Sequence, residues 1–408
     1  MTRPDLPSLL LLPFPPDPSS RQVLHAAYRP PLAAAISRLK NPRGPARLIV
    51  AVACPVLHGP YLRSRTLTWP HAQALVAGVY AVISAVCAHL SVPTELDGGP
   101  GSVDVAVVLV DHDRRRRFAA DARPAIEPNS TVIVDLATFA SAYYPWRYIF
   151  HVRSEPGLEL YQAYLGLAES RQTLVQGQLV PVEGGLSMNL APQNAADPPP
   201  QSPGYPVVCL GGTFDYLHPG HKLLLTAGAL LLQVPHRDSS QSCLYIIGIT
   251  GDELLKNKKF AQYVQSWETR ARNVIRFLSQ ILQLSDQGWK ATAMPAIDEK
   301  DGDFQASFRD GTIRIQCVRI QDPFGPTITV QDIDALVVSG ETRAGGQAVN
   351  DRRLAQGWRP LAVFEVDVID ADDVADHVTK TKDFSCKISS SAIRQRRAEA
   401  TGSADAKI

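Results

Sequence analysis

The chain reads as an α/β protein: a doubly wound, Rossmann-like parallel sheet forms its second half, and another α/β domain precedes it. Three observations predict this. Short apolar runs rich in Val, Ile and Leu alternate with longer helical patterns along residues 205–400, the signature of strands joined by crossover helices. A strand, a Gly-Gly turn and a helix follow one another across residues 207–233. Between the halves lies Ala195-Ala-Asp-Pro-Pro-Pro-Gln-Ser-Pro-Gly-Tyr-Pro206, too proline-rich to pack, which reads as a semi-rigid linker. The expected divisions are therefore 1–194, the linker 195–206, 207–400 and a disordered tail 401–408. A length of 408 residues suits two or three domains of about 150 residues.

In the first half, residues 47–53, 103–111 and 131–136 are β-branched, strand-like runs, and 71–90 has the length and alanine content of a helix. Leu9 to Leu12 is broken by Pro13, Pro15 and Pro16, too short for a signal core or a membrane span. No other stretch reads as apolar enough to cross a bilayer. Asp111-His-Asp113 precedes four arginines, residues 114–117. Ligands collect at strand ends in α/β proteins, but a charge run of this kind is expected to be a solvated loop.

In the second half, residues 207–210 form a strand and Gly211 and Gly212 a tight turn. Pro219 suits the first turn of a helix continuing to Gln233, with Leu223, Ala227, Leu230 and Leu231 as its apolar stripe. Strands follow at 243–249, 312–319, 334–339 and 361–369, and helices at 267–284 and 346–356. The motif-bearing segments lie at the carboxyl ends of these strands, where an open α/β sheet binds ligands.

The formal net charge of +1 provides no global attraction for nucleic acid or an anionic membrane, so a small molecule held by local charge is favoured. Six scattered cysteines with no Cys-x-x-Cys pair read as reduced core residues, and a cytoplasmic or nuclear location is expected. Asn129-Ser-Thr matches a glycosylation triplet, which carries no weight in that setting.

His218 and His221 sit where strand turns into helix. The unpaired N–H groups and partial positive charge of a helix start stabilise an anion, and two imidazoles add donors at that mouth. A triphosphate suits such a site. Zinc is the other use of two histidines, but no further ligand stands nearby at zinc spacing apart from Asp215. Lys256, Lys258 and Lys259 follow the second strand. Such a loop is either solvated or in contact with phosphate, and its strand-end position favours contact through Lys258 or Lys259. Ser389, Ser390 and Ser391 precede a short basic helix containing Arg394, where they can cap it while its amides meet a phosphate. Arg270 serves either a ligand or a salt bridge at a helix start.

Gly-Gly-Thr-Phe-Asp after a strand, His-Pro-Gly-His opening a helix and Ile388-Ser-Ser-Ser-Ala-Ile-Arg394 together resemble the nucleotidylyltransferase superfamily. Gln321-Asp-Pro-Phe-Gly-Pro-Thr327, Val337-Val-Ser-Gly-Glu-Thr-Arg343 and Asn350 narrow the resemblance to phosphopantetheine adenylyltransferases of the archaeal and eukaryotic type. It covers residues 205–400 and leaves the first half unexplained. It implies transfer of AMP from ATP to 4′-phosphopantetheine, giving dephospho-CoA and pyrophosphate, with Mg²⁺ carried on the triphosphate and no metal ligand from the protein. It further implies His218, His221, Lys258 and Lys259 as catalytic residues. Gly211, Gly212, Thr213, Phe214, His221, Gly340, Glu341, Ser389, Ser390, Ser391 and Arg394 would bind ATP, and Thr213, Asp215, Lys256 and Arg270 the acceptor. The bacterial type has Gly-Leu-Arg where this chain has Gly340-Glu-Thr-Arg343, so no triphosphate role is carried over to Arg343. The kinase domain fused to the animal enzyme needs a Gly-x-x-x-x-Gly-Lys-Ser/Thr loop, which is absent here, so a single activity is expected, as in the fungal arrangement. Two alternatives stand beside this: a sister enzyme with another acceptor, such as FMN, and a silent nucleotide- or CoA-binding subunit. In the latter, the first half would dock other enzymes of coenzyme A synthesis.

Overall fold

The structure is a computed structural model that describes residues 6–16, 19–41, 44–55, 67–96, 98–113, 129–142, 145–168, 175–186, 202–236, 239–283, 295–367, 369 and 389–405. The arginine run 114–117, most of the proline-rich interval, Cys386 and residues 406–408 lie outside them.

The first half is a six-stranded, wholly parallel sheet ordered β4-β3-β2-β1-β5-β6. Its strands are β1 (Ser8–Leu12), β2 (Ala46–Cys54), β3 (Val103–Asp111), β4 (Val134–Asp135), β5 (Ile149–Val152) and β6 (Leu179–Val182). Helices α1 (Arg21–Leu39), α2 (Trp69–His89), α3 (Leu136–Ala142) and α4 (Glu155–Ala168) connect them. The Leu9–Leu12 run, fully apolar and bounded by prolines, is the central strand: β1 is buried along its whole length, as a parallel strand covered on both faces must be. The strand expected at 131–136 shrinks to Val134–Asp135. Asn129 Oδ1 accepts from Thr131 N at 2.9 Å and Thr131 Oγ1 from Ile133 N at 3.1 Å, so local side-chain bonds take amides a ladder would have used. Asn129 itself is buried.

The second half is a seven-stranded sheet ordered β13-β12-β7-β8-β11-β10-β9. Strands β7 (Val207–Gly212), β8 (Cys243–Thr250), β11 (Ile313–Ile320), β12 (Ala335–Ser339) and β13 (Ala362–Val366) are parallel, with α5 (Pro219–Ala229), α6 (Trp267–Leu282) and α7 (Arg343–Ala355) between them. The order reverses between β7 and β12, which opens a crevice at their carboxyl ends. An antiparallel hairpin not expected from the sequence, β9 (Asp298–Lys300) and β10 (Asp303–Phe308), extends one edge. Asp301 and Gly302 turn it with φ of 54° and 82°, the Asp-Gly geometry of a two-residue hairpin, and the all-charged β9 blunts the edge. Helix α5 stops at Ala229 rather than Gln233, because Tyr205 and Leu232 bridge and draw the following segment into extended backbone. The final helix α8 (Ser390–Asp405) continues through residues 401–405, which were expected to be tail; its Ala, Arg, Gln and Glu content favours helix.

The halves share one continuous apolar core running from Leu9 to Val366. Helix α2 is the reason. It is long and apolar enough to span a membrane by length and composition, contrary to the sequence expectation, and 72% of that window is buried inside the protein. It lies between α1 and α5, so both flanks meet protein, which accounts for an apolar surface all round. At its start the Trp69 ring meets Phe364 edge-on at 5.1 Å, and its Nε1 donates to the Ala227 carbonyl at 2.8 Å.

Candidate active site

Strand β7 ends in Gly211 and Gly212, and the chain turns through Thr213 to Leu217 into α5. Gly212 has little freedom to change: an added Cβ would lie 2.9 Å from the Phe214 ring. Phe214 and Tyr216 hold φ of 52° and 44°, left-handed conformations that bulky residues enter only when the surroundings compel them. Both side chains are buried. Between them Asp215 points inward.

His218 is the N-cap of α5 but makes no side-chain cap, and Pro219 occupies the first turn. The first amides of the helix are therefore left to an external acceptor. The His218 and His221 rings stack with centroids 3.9 Å apart, and Phe214 closes the other side of His221 at 5.3 Å. Gly220 makes the stack feasible, since a Cβ there would sit 3.3 Å from the His218 ring. Nδ1 of each ring is buried without a partner. Burial, reinforced by the Lys222 ammonium, pushes His218 down to about 3. Burial and then the neighbouring His218 hold His221 well below the ordinary range. Both rings are thus neutral near pH 7, and an anion would draw them toward imidazolium.

The carboxyl-terminal motif closes on this turn. Arg394 Nη1 meets Asp215 Oδ2 at 2.5 Å, with both side chains buried. It also donates through Nε to the Lys259 carbonyl and through Nη2 to Ser391 Oγ, both at 3.0 Å. Ser390 Oγ donates to the Asp215 carbonyl at 2.8 Å, and Ser389 Oγ accepts from Ala392 N at 3.3 Å as a cap. Asp215 Oδ1 accepts from Gln265 N at 3.0 Å. Burial raises the Asp215 carboxyl pKa against the lowering effect of these donors. In this structure Asp215 and Arg394 are thus spent on each other, joining the first motif to the last.

At the end of β8, Thr250 Oγ1 donates to the Gly212 carbonyl at 3.3 Å. Arg270, fully buried on α6, donates to the Thr213 carbonyl at 2.7 Å, to Asp252 at 2.6 Å and to the Gln265 carbonyl at 2.9 Å. It braces the turn that carries Thr213 and makes the salt bridge that was one of its two expected roles. Lys256 pairs with Glu253 at 2.5 Å in solvent, and Lys258 and Lys259 are exposed. Gly340 and Glu341 lie in the 3₁₀ turn after β12. Arg343 pairs with Glu365 at 2.7 Å. Asn350 bonds the Leu361 backbone in both directions, and Asp322 Oδ1 accepts from Phe324 N and Gly325 N.

Sequence reasoning missed Lys222, Asp104, Asp252 and Gln265. Lys222 carried a signal: it is a charged residue in the first turn of a helix otherwise lined with Leu and Ala. Its buried ammonium meets Asp104 Oδ1 of β3 at 2.5 Å.

Comparison with known proteins finds relatives of each half. Residues 209–396 match the family model described as Cytidylyltransferase-like, and residues 1–188 match a domain of unknown function, DUF8446. The chain is 34% identical over 163 residues to the phosphopantetheine adenylyltransferase of Saccharomyces cerevisiae, covering 40% of this chain and 41% of the relative. An uncharacterized protein of Schizosaccharomyces pombe is 33% identical over 195 residues, 47% of this chain and 48% of the other. The chain thus spans about half the length of these fungal relatives. The phosphopantetheine adenylyltransferase of Pyrococcus abyssi is 30% identical over 187 residues, 46% of this chain but 87% of that one.

Proposed function

This chain belongs to the phosphopantetheine adenylyltransferase family of the archaeal and eukaryotic type, a nucleotidylyltransferase-like transferase, and we propose that it transfers AMP from ATP to 4′-phosphopantetheine, giving dephospho-CoA and pyrophosphate. The stacked His218–His221 pair at the uncapped mouth of α5 carries this reading. Orphaned nitrogens and free helix amides form a preorganised set of donors for a polyphosphate.

The acceptor phosphate attacks the α-phosphorus in line, forming the new P–O bond as the bond to the bridging oxygen breaks and pyrophosphate leaves with that electron pair. Such transfers need positioning and charge stabilisation more than a protein nucleophile. His218 and His221 would hydrogen-bond the α- and β-phosphate oxygens, with the donor strength of each ring rising as charge builds. Thr213 would orient the attacking phosphate from a turn braced by Arg270. Lys258 or Lys259 would supply positive charge from the loop tied to Arg394 through the Lys259 carbonyl. Mg²⁺ would enter with the triphosphate and offset part of its charge.

The test is pyrophosphate release from Mg-ATP with 4′-phosphopantetheine, beside FMN, nicotinamide mononucleotide and glycerol 3-phosphate. Release with phosphopantetheine alone, with dephospho-CoA as product, is expected. Release with another acceptor only, or nucleotide binding without turnover, would overturn it.

A further inference from the structure

Helix α5 is held from behind by the first half of the chain at three points along its length. Before it begins, Leu96 N donates to the Leu217 carbonyl at 3.0 Å, one residue from His218. In its first turn the Lys222 ammonium donates to Asp104 Oδ1 at 2.5 Å, to the Val105 carbonyl at 3.0 Å and to the Thr94 carbonyl at 3.4 Å. At its far end the Ala227 carbonyl accepts from Trp69 Nε1. All three Lys222 acceptors belong to the first half, so each proton of the ammonium has a partner there. The second oxygen of Asp104 accepts from Gln280 Nε2 of α6 at 2.9 Å. One carboxylate on β3 therefore bonds both α5 and α6.

A buried lysine gains nothing in stability that an apolar side chain of similar size could not supply, because removing two charges from water offsets their attraction. A fully satisfied buried pair does fix geometry, since it has one arrangement in which all donors and acceptors are met. Lys222 follows His221 directly, so that geometry is the orientation of the helix turn carrying the histidine pair. We infer that Asp104 and Lys222 act as positioning residues through which the N-terminal half sets the His218–His221 donors of the phosphate site; this rests on the reading of that pair as phosphate ligands. The N-terminal half then completes the nucleotidyl-transfer site from behind. Lys222 also bears on the His218 ring electrostatically, since it is the charge that adds to burial in lowering it.

The experiment uses the full chain with Asp104→Asn, Lys222→Met and, as a control, Arg309→Met. Arg309 bonds the Thr131 and Val132 carbonyls of the first half and the Leu282 carbonyl of α6, so it removes a contact between the halves away from the histidines. Two readouts are taken well below each protein's melting point: kcat for pyrophosphate release, and the Cε1–H resonances of His218 and His221 against pH in histidine-labelled protein. The expected result is a fall of at least tenfold in kcat for Asp104→Asn and Lys222→Met with the KM for ATP changed less. The His218 resonance should move, with its titration midpoint raised in Lys222→Met. Arg309→Met should lower the melting point while keeping kcat within twofold and the histidine resonances in place. Asp104→Asn preserves shape and is the variant to rely on if Lys222→Met does not fold. Unchanged kcat and unchanged histidine resonances in Asp104→Asn overturn the inference. Wild-type protein that releases no pyrophosphate with any acceptor overturns the proposed reaction instead, and the resonances alone then decide whether the pair positions the histidines.

Discussion

Replacing Arg394 by Met tests the junction between the first and last motifs. The guanidinium faces Asp215 at 2.5 Å with both side chains buried, and its other donors reach the Lys259 carbonyl and Ser391. The change leaves Asp215 inside the protein with the Gln265 amide and the more distant charge of Arg270. Removing one member of a buried pair costs about 3–5 kcal/mol, because the remaining charge is uncompensated. The two halves share one core, so the lower figure of about 2 °C per kcal/mol for large domains applies, and Tm should fall by roughly 6–10 °C. The deficit should depend on pH. Asp215 already titrates above its ordinary value through burial, and losing Arg394 raises it further. A carboxyl whose pKa is raised on folding is tolerated when protonated and destabilises the fold as pH rises through its folded pKa. The gap between variant and wild type should thus be largest above the raised pKa and narrow as pH falls through it toward the unfolded value. Paired thermal melts or urea titrations across acid to neutral pH measure it. A gap under about 1 kcal/mol, or one independent of pH, would refute the view that the pair is a buried electrostatic lock.

Three further outcomes are expected. His221→Ala should lower kcat for pyrophosphate release by two to three orders of magnitude, the usual cost of about 3–4 kcal/mol for one preorganised donor, with far-UV circular dichroism unchanged; near-normal turnover would remove His221 from the site. His218 is held neutral with a pKa of about 3 against 6.5 when unfolded, so the unfolded chain binds the extra proton between those values. Stability should fall by about 1.4 kcal/mol per pH unit below 6.5 on its account, and His218→Gln should remove that slope from a urea series. Gly228→Ala should cost about 1–3 kcal/mol by overpacking, since its Cβ would lie 2.1 Å from the buried Tyr245 hydroxyl, and calorimetry would show the loss.

The chain order of the second half was legible because most of its parallel strands are short apolar runs separated by longer segments of helical pattern. The first and last motifs were legible as an open helix mouth and a serine-capped helix start, because helix-end chemistry acts within a few residues. The Asp301-Gly302 hairpin went unread despite its turn signal, since the charged β9 beside it has no apolar alternation. The first half was read thinly for a related reason. Its central strand is four leucines between prolines, and its most apolar helix imitates a membrane span in composition until α1 and α5 are seen on either side of it.

By itself the sequence determined which segments become strands and helices and which side chains stand at a helix mouth, because periodicity and helix-end chemistry operate within a few residues. The tertiary structure decided what those side chains face. Asp215 meets Arg394 across 179 residues and Lys222 meets Asp104 across 118. Burial turns a pair of ordinary histidines into neutral stacked rings with orphaned nitrogens. Pairing at such separation depends on how two sheets and the helices between them pack, and desolvation depends on everything around a group. Neither is encoded within any single stretch of the chain.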